Sequence, residues 1–257
     1  MRIWYQSYVD AEHAGRYWDD LRRHIAAIAD PGTEVEIHGI TPHDSYAHAL
    51  VEFRCAREVI CNAVRAEREG YDAFILGHFQ DAGLYEARSV VDIPVIGLGE
   101  ATMLHACTLA QRSGIVTINT RFIPWFRHQI ARYGLGQRIT GIHAMQFEPG
   151  QIMGAFGDPA RTEEARTLFE AQARPLVAAG VELLIPGGGI PMLLFSTIPD
   201  HRVDGAPVVN GIPIAVKQAE VAVRLRRMTG LGTSRAGEFV KPPPEIVEEF
   251  MTHPKGL

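Results

Sequence analysis

Short apolar runs alternate with longer stretches of helical spacing along almost the whole chain. Arg2–Ser7 and Glu34–His38 read as strands. Between them, Tyr17, Leu21, Ile25 and Ile28 recur at helical intervals within Ala11–Ala29, which stops before Pro31-Gly32. Val51–Glu69 predicts a long helix, with Phe53, Val59, Ile60, Ala63 and Val64 on its apolar face and Gly70 closing it. Ala73-Phe74-Ile75-Leu76 is an uninterrupted apolar run, the pattern of a parallel strand buried on both faces. Gly77 ends it and His78 follows; Pro94–Gly97 predicts the next strand and Glu100–Arg112 the next helix. The cycle then restarts. Ile115–Asn119, Ile139–Met145, Glu182–Pro186 and Pro207–Asn210 read as strands, and Pro124–Tyr133, Thr162–Ala179 and Ile214–Thr229 as helices.

The two passes share more than their rhythm. Gly70 to Phe79 aligns without gaps on Gly180 to Gly189: a glycine, then an acidic residue two positions on, an apolar strand and a closing glycine. Strands alternating with helices through short loops imply parallel sheets covered by helices. The expected fold is therefore α/β, with two pseudo-symmetric lobes, each a parallel sheet of about four strands flanked by helices. Residues 1–98 with 211–232 form the first lobe, 99–210 the second, and 233–257 a C-terminal surface arm around Pro242-Pro243-Pro244. The matching strand tips, His78 and Gly188, then face each other across a cleft between the lobes, where open α/β sheets place their ligands.

Composition narrows the functional classes. A net charge of −5 gives no electrostatic case for nucleic acid or for an anionic membrane surface. No apolar run approaches the roughly 20 residues that span a bilayer. The N-terminus lacks the apolar core of a signal peptide, and the three cysteines (Cys55, Cys61, Cys107) form no CxxC pair, which suits a reducing cytoplasm. A small-molecule substrate is the remaining partner class.

The chemistry sits at the strand tips. Position alone leaves His78 two roles: hydrogen bonding to its neighbours, or acid/base work at neutral pH. Gly187-Gly188-Gly189 either makes a tight turn or directs backbone N–H groups at an anionic oxygen. Phe79 and Gln80 follow His78 as candidate substrate contacts; Phe79 equally suits the core. Tyr5, Tyr8 and Trp125 are candidate aromatic walls. Glu100 and Asn210 stand just past equivalent fourth strands; Glu100 either orients His78 or simply favours a helix N-terminus. Asp81 suits the cap of the helix after His78. A metal reading would join His43, Asp44 and His48 to His78, but no HExxH-type spacing supports it, and no metal is expected. No glycine pattern reads as a phosphate or dinucleotide loop.

Several ordered motifs resemble the aspartate/glutamate/hydantoin racemase superfamily, nearest its hydantoin racemase branch. They are Gly77-His78-Phe79-Gln80-Asp81-Ala82-Gly83-Leu84, Ile93 to Ala101, Arg132-Tyr133-Gly134-Leu135, Asn210 to Glu220, and Thr233-Ser234-Arg235. The resemblance runs in order from about Arg2 to Pro242. It implies the two-lobed fold, an active site between the lobes, no organic or metal cofactor, and, together with the C-terminal arm, a homo-oligomer. It also implies that the first strand tips bind the substrate's carboxylate or amide, which here means Gln6 and Ser7 on one side and Thr117, Asn119 and Thr120 on the other.

The departure is at the catalytic pair. Such racemases use two cysteines, one per lobe; here those positions hold His78 and Gly188. Two-thiol racemisation is excluded. The expected activity is that of an isomerase or lyase using His78 as its single acid/base, with Glu100 beside it. Gly187, Gly188, Gly189 and Asn210 complete the expected substrate contacts. A hydrolase with His-activated water and a non-catalytic binding protein are the alternatives.

Overall fold

The structure is a computed structural model that describes residues 1–43, 47–147 and 149–253. Its order is β1 (Arg2–Gln6), α1 (Arg16–Ile28), β2 (Glu34–His38), α2 (Ala49–Arg68), β3 (Ala73–Leu76), α3 (Leu84–Val90), β4 (Val95–Gly97), α4 (Leu98–Leu109) and β5 (Ser113–Thr117). It continues with α5 (Phe122–Arg132), β6 (Ile139–Ala144), α6 (Pro149–Met153), α7 (Pro159–Ala178), β7 (Leu183–Gly187), α8 (Gly189–Leu194), β8 (Arg202–Val203), β9 (Ala206–Pro207), α9 (Gly211–Thr229) and α10 (Pro244–Thr252).

Two parallel sheets result, in the orders β2-β1-β3-β4 and β6-β5-β7. The repeat is preserved in register: β1 pairs with β3 as β5 pairs with β7, so Gln6 lies beside Leu76 and Thr117 beside Gly187. The fourth strand of the second sheet is almost absent. Ala206-Pro207 instead pairs antiparallel with Arg202-Val203, and a single parallel bridge, Leu184 to Val208, is what remains of the strand expected over Pro207–Asn210.

Both faces of the first sheet are buried, which is why β3 shows no polar alternation. Ile3, Tyr5, Ala73 and Ile75 face a core shared with β5, β7 and α9. Trp4, Phe74, Leu76 and Val95 face a second core under α2 and α3, completed by Cys55, Val59 and Ala63. Phe53 does not join it. It is 75% exposed, because the buried stripe of α2 runs through Glu52, Cys55 and Val59 instead. The C-terminal arm is held by its own chain: Arg235 donates to the carbonyls of Arg88 and Phe239, and Arg57 donates to those of Phe250 and His253. Among the described residues no helix is long and apolar enough to cross a membrane.

Candidate active site

The strand tips enclose a cavity of about 130 Å³. From the first sheet come Ser7 and Tyr8 after β1, and Gly77, His78 and Gln80 after β3. From the second come Ile118 after β5, Gly187 at the end of β7, Gly188 after it, and Gly189 and Ile190 at the start of α8, with Phe122 from α5. Gly77 is required by what lies under it. A Cβ there would stand 2.3 Å from Cε1 of the fully buried Tyr5, so the ring that supports the β3 tip leaves no room for a side chain. Tyr5 is thus packing beneath the site. Trp125 packs edge-on against Phe122, and the aromatic side chains on the cavity itself are Tyr8, Tyr17 and Phe122.

His78 is fixed from two directions. Its ring stacks on Tyr8, with centroids 3.7 Å apart and planes within 8°. Its Nε2 lies 2.9 Å from Oε1 of Glu52, in the first turn of α2. His48 caps that helix, its Nδ1 accepting from the Leu50 amide, and so sets where the first turn begins. A carboxylate only accepts, so Nε2 carries the hydrogen of this bond and the neutral ring keeps its lone pair on Nδ1. Glu52 is 8% exposed, and its Oε2 has no hydrogen-bond partner among the described residues. The carboxylate beside His78 is therefore Glu52, not Glu100. Glu100 forms a two-pronged pair with Arg88, 3.0 Å on one side and closer on the other. Nothing in the local pattern marks Glu52: an acid in a helix's first turn reads as a favourable partner of the helix dipole.

Asp81 also departs from expectation. It caps α4 rather than α3, accepting from the amides of Gly99 (3.1 Å) and Glu100 (2.7 Å). It accepts too from Gln129 Nε2 (3.0 Å) on α5 and from the Tyr133 hydroxyl (2.7 Å) just after that helix. One buried carboxyl thereby joins the loop after His78 to α4, which follows the last strand of the first sheet, and to α5, which follows the first strand of the second. Burial pushes it up to about 7, against the opposing pull of Tyr133 and the Glu100 and Gly99 amides.

Ser7, Tyr8, His43, His78, Gln80 and Gly187–Gly189 converge on the cavity; Gln6, Phe79, Glu100, Thr117, Asn119, Thr120 and Asn210 do not line it. Gln6 is buried in a structural network, accepting from Trp4 Nε1 and Asn62 Nδ2 and donating to the His38 carbonyl. Phe79 is core, edge-on to Phe126. Thr117 donates to the Gly187 carbonyl and holds the two tips together. Asn119 spans its own loop, donating to the Phe147 carbonyl and accepting from the Arg121 amide, and Thr120 is exposed. Asn210 caps α9 through the Ile212 amide. Strand-tip position identified these residues, but the outward or inward turn of each side chain is set by neighbours distant in sequence.

Gly188 has φ of 146°, a backbone region that side chains strongly disfavour, and a Cβ there would lie 3.1 Å from Pro191 Cδ. Gly189 and Ile190 open the first turn of α8, where backbone amides have no intrahelical acceptor. Cys55 and Cys61 are buried within α2 and Cys107 lies on α4, none of them on this cavity.

Histidines gather at one edge of the cavity, though not those grouped by sequence proximity. Asp44 lies outside the described residues, and His48 is engaged as the α2 cap. His43 instead meets Asp10 and His13. Burial pushes the Asp10 carboxyl up, but the hydrogen bonds from the His13 ring and amide, with the His13 and His43 imidazoles close by, hold it below the usual carboxylate range.

Comparison with known proteins agrees with this architecture. The Asp/Glu/Hydantoin racemase family model matches residues 16–219. Hydantoin racemase of Rhizobium meliloti is 27% identical over 178 residues, 69% of each chain. The structure of allantoin racemase from Klebsiella pneumoniae superposes with a TM-score of 0.78 at 26% identity, covering 95% of this chain and 94% of that one. Allantoin racemase from Pseudomonas fluorescens gives 0.72 at 25% identity, covering 95% and 98%. The family model covers most of the chain, and the chain belongs to the Asp/Glu/hydantoin racemase family.

Proposed function

We propose that the protein is a single-base proton-transfer enzyme of isomerase or lyase type, acting on a small cyclic amide or carboxylate. The observation that carries this reading is the His78–Glu52 pair, 2.9 Å apart at one strand tip, facing a tip at Gly188 that offers no side chain. On one ring nitrogen, His78 takes the proton from a carbon next to a carbonyl. Glu52 holds the other ring nitrogen, fixes the tautomer and stabilises the imidazolium that forms. The first amides of α8 are suited to the oxygen on which negative charge develops. The similar proteins named as hydantoin and allantoin racemases make cyclic amides the first substrates to try.

The test is proton–deuterium exchange in heavy water with hydantoins, allantoin, amino acids and arylmalonates, followed by NMR and product mass. Exchange at the carbon beside the carbonyl is the expected result. Ring opening with gain of water and no carbon exchange would instead make the protein a hydrolase. Binding with neither reaction would make it a binding protein.

Glu52 has its own signature. Glu52→Gln removes the charge that stabilises the imidazolium but keeps the side chain's size. The expected result is a fall in kcat of about 10–100-fold, with KM within a factor of about three, taking the usual size of outer-partner effects on a histidine. An unchanged kcat would show that the pair is only structural.

A further inference from the structure

We propose that Asp10, His13 and His43 form a binding site for a divalent transition-metal ion, zinc being the best match, at the edge of the cavity. The inference does not depend on which reaction His78 performs.

One ligand-capable atom from each of the three side chains lies within 4.8 Å of the other two. His13 Nδ1 is 2.7 Å from Asp10 Oδ1, and His43 Nδ1 is 3.5 Å from Asp10 Oδ2. The two imidazole rings lie side by side, centroids 4.5 Å apart. The set comes from the turn after β1 and the loop after β2, so it forms only when these strands pair.

A second observation points to an absent ligand. Asp10 is 4% exposed, yet its Oδ2 makes no hydrogen bond among the described residues, while Oδ1 receives both the ring and the amide of His13. A buried carboxylate oxygen that accepts no hydrogen bond, with His43 Nδ1 standing 3.5 Å away, is costly, and a cation between the two lowers the cost. Two imidazoles and one carboxylate are a zinc donor set, and three protein ligands leave a fourth position open. His13 and His43 both line the cavity, so that position is available to an oxygen of a molecule bound there. Zinc–ligand bonds of about 2.0–2.2 Å at tetrahedral angles set donor atoms roughly 3.4 Å apart, so the 2.7 Å contact between His13 Nδ1 and Asp10 Oδ1 opens as the ion enters. The hydrogen between His13 Nδ1 and Asp10 is the one the ion displaces on binding.

The experiment uses the full chain, stripped of metal by chelation. Zinc is added against a chromogenic competitor, and cobalt(II) is added separately as a spectroscopic probe. The expected result is one ion per chain. Cobalt should give visible ligand-field bands typical of low coordination number, without the near-ultraviolet sulfur-to-cobalt band that a cysteine ligand would add. His13→Ala and His43→Ala should each weaken zinc binding by at least about 100-fold, more than loss of an outer partner would. His105→Ala, on the exposed side of α4, should leave it unchanged. No uptake of either ion by the wild-type protein would overturn the proposal, as would uptake that survives His13→Ala and His43→Ala together or that shows sulfur ligation. The wild-type titration and spectrum decide the matter even if a variant fails to fold.

Discussion

Replacing His78 with Asn should slow carbon–deuterium exchange by about 10²–10⁴-fold, the range spanned by a positioned acid/base. Asn keeps a polar side chain of similar length, so stacking on Tyr8 is weakened and the contact with Glu52 can be partly retained, while the group able to carry a proton near neutral pH is gone. The side chain sits on the cavity wall rather than in the core, so the melting temperature should change little. The large effect follows from the opposite tip: with Gly188 there, no second side chain at that position can take over the proton. Exchange that persists in His78→Asn would sink the single-base reading. A melting temperature lowered by ten degrees or more would mean that the loss reports on folding instead of chemistry.

The largest effect on stability is expected at Asp81. Asp81→Ala at pH 6 should lower the unfolding free energy by roughly 3–5 kcal/mol, as for removal of one partner from a buried polar cluster. Four donors lose their acceptor together: the Gly99 and Glu100 amides, Gln129 Nε2 and the Tyr133 hydroxyl. No neighbour can move in to replace it, since the backbone is already crowded. A Cβ on Gly99 would stand 2.1 Å from the Phe79 carbonyl oxygen. The pH dependence has a definite sign. Burial raises this carboxyl to about 7 in the folded chain, far above its value in the unfolded one. Its contribution is therefore fully present below about pH 4 and is lost as pH rises through about 7. Denaturant titrations at pH 4.5, 6 and 8 should show the wild type's margin over Asp81→Ala shrinking by a few kcal/mol, since each tenfold gain in proton affinity on folding is worth about 1.4 kcal/mol. A margin that grows with pH would mean that the four donors outweigh burial and that the ionised form is the one held.

Much of the fold was legible because it rests on local, periodic signals. The uninterrupted run Ala73–Leu76 marks a strand covered on both faces, and the structure places one core on each side of it. The Gly70 and Gly180 repeats mark equivalent strands, and β3 and β7 pair with β1 and β5 in matching register. Phe53 misled because spacing shows that a helix has a stripe but not which of two adjacent stripes meets the core. The fourth strand of the second sheet misled because Pro207 and the turn at Asp204-Gly205 favour a hairpin with Arg202-Val203 over a parallel edge.

The site was legible only as a place. Strand tips could be found, and His78, Gln80, Ser7 and the three glycines do meet at the cavity. Glu52 could not be found. It is 26 positions from His78, and only the packing of α2 against the first sheet brings the two together. Asp81 and Glu100 depart from the parts first considered for them for the same reason: one caps α4 rather than α3, and the other is held by Arg88 rather than by His78.

By itself, the sequence determined that this is an α/β chain of two repeated passes, that a histidine stands where the resembled racemases carry a thiol, and that the opposing tip has no side chain. Those facts are written in residue identity and period. Tertiary structure alone decided which carboxylate stands beside His78, which strand-tip side chains turn into the cavity, and that Asp10, His13 and His43 meet at its edge. Those depend on how elements far apart in the chain pack, and burial, not spacing, selects the partner of each polar group.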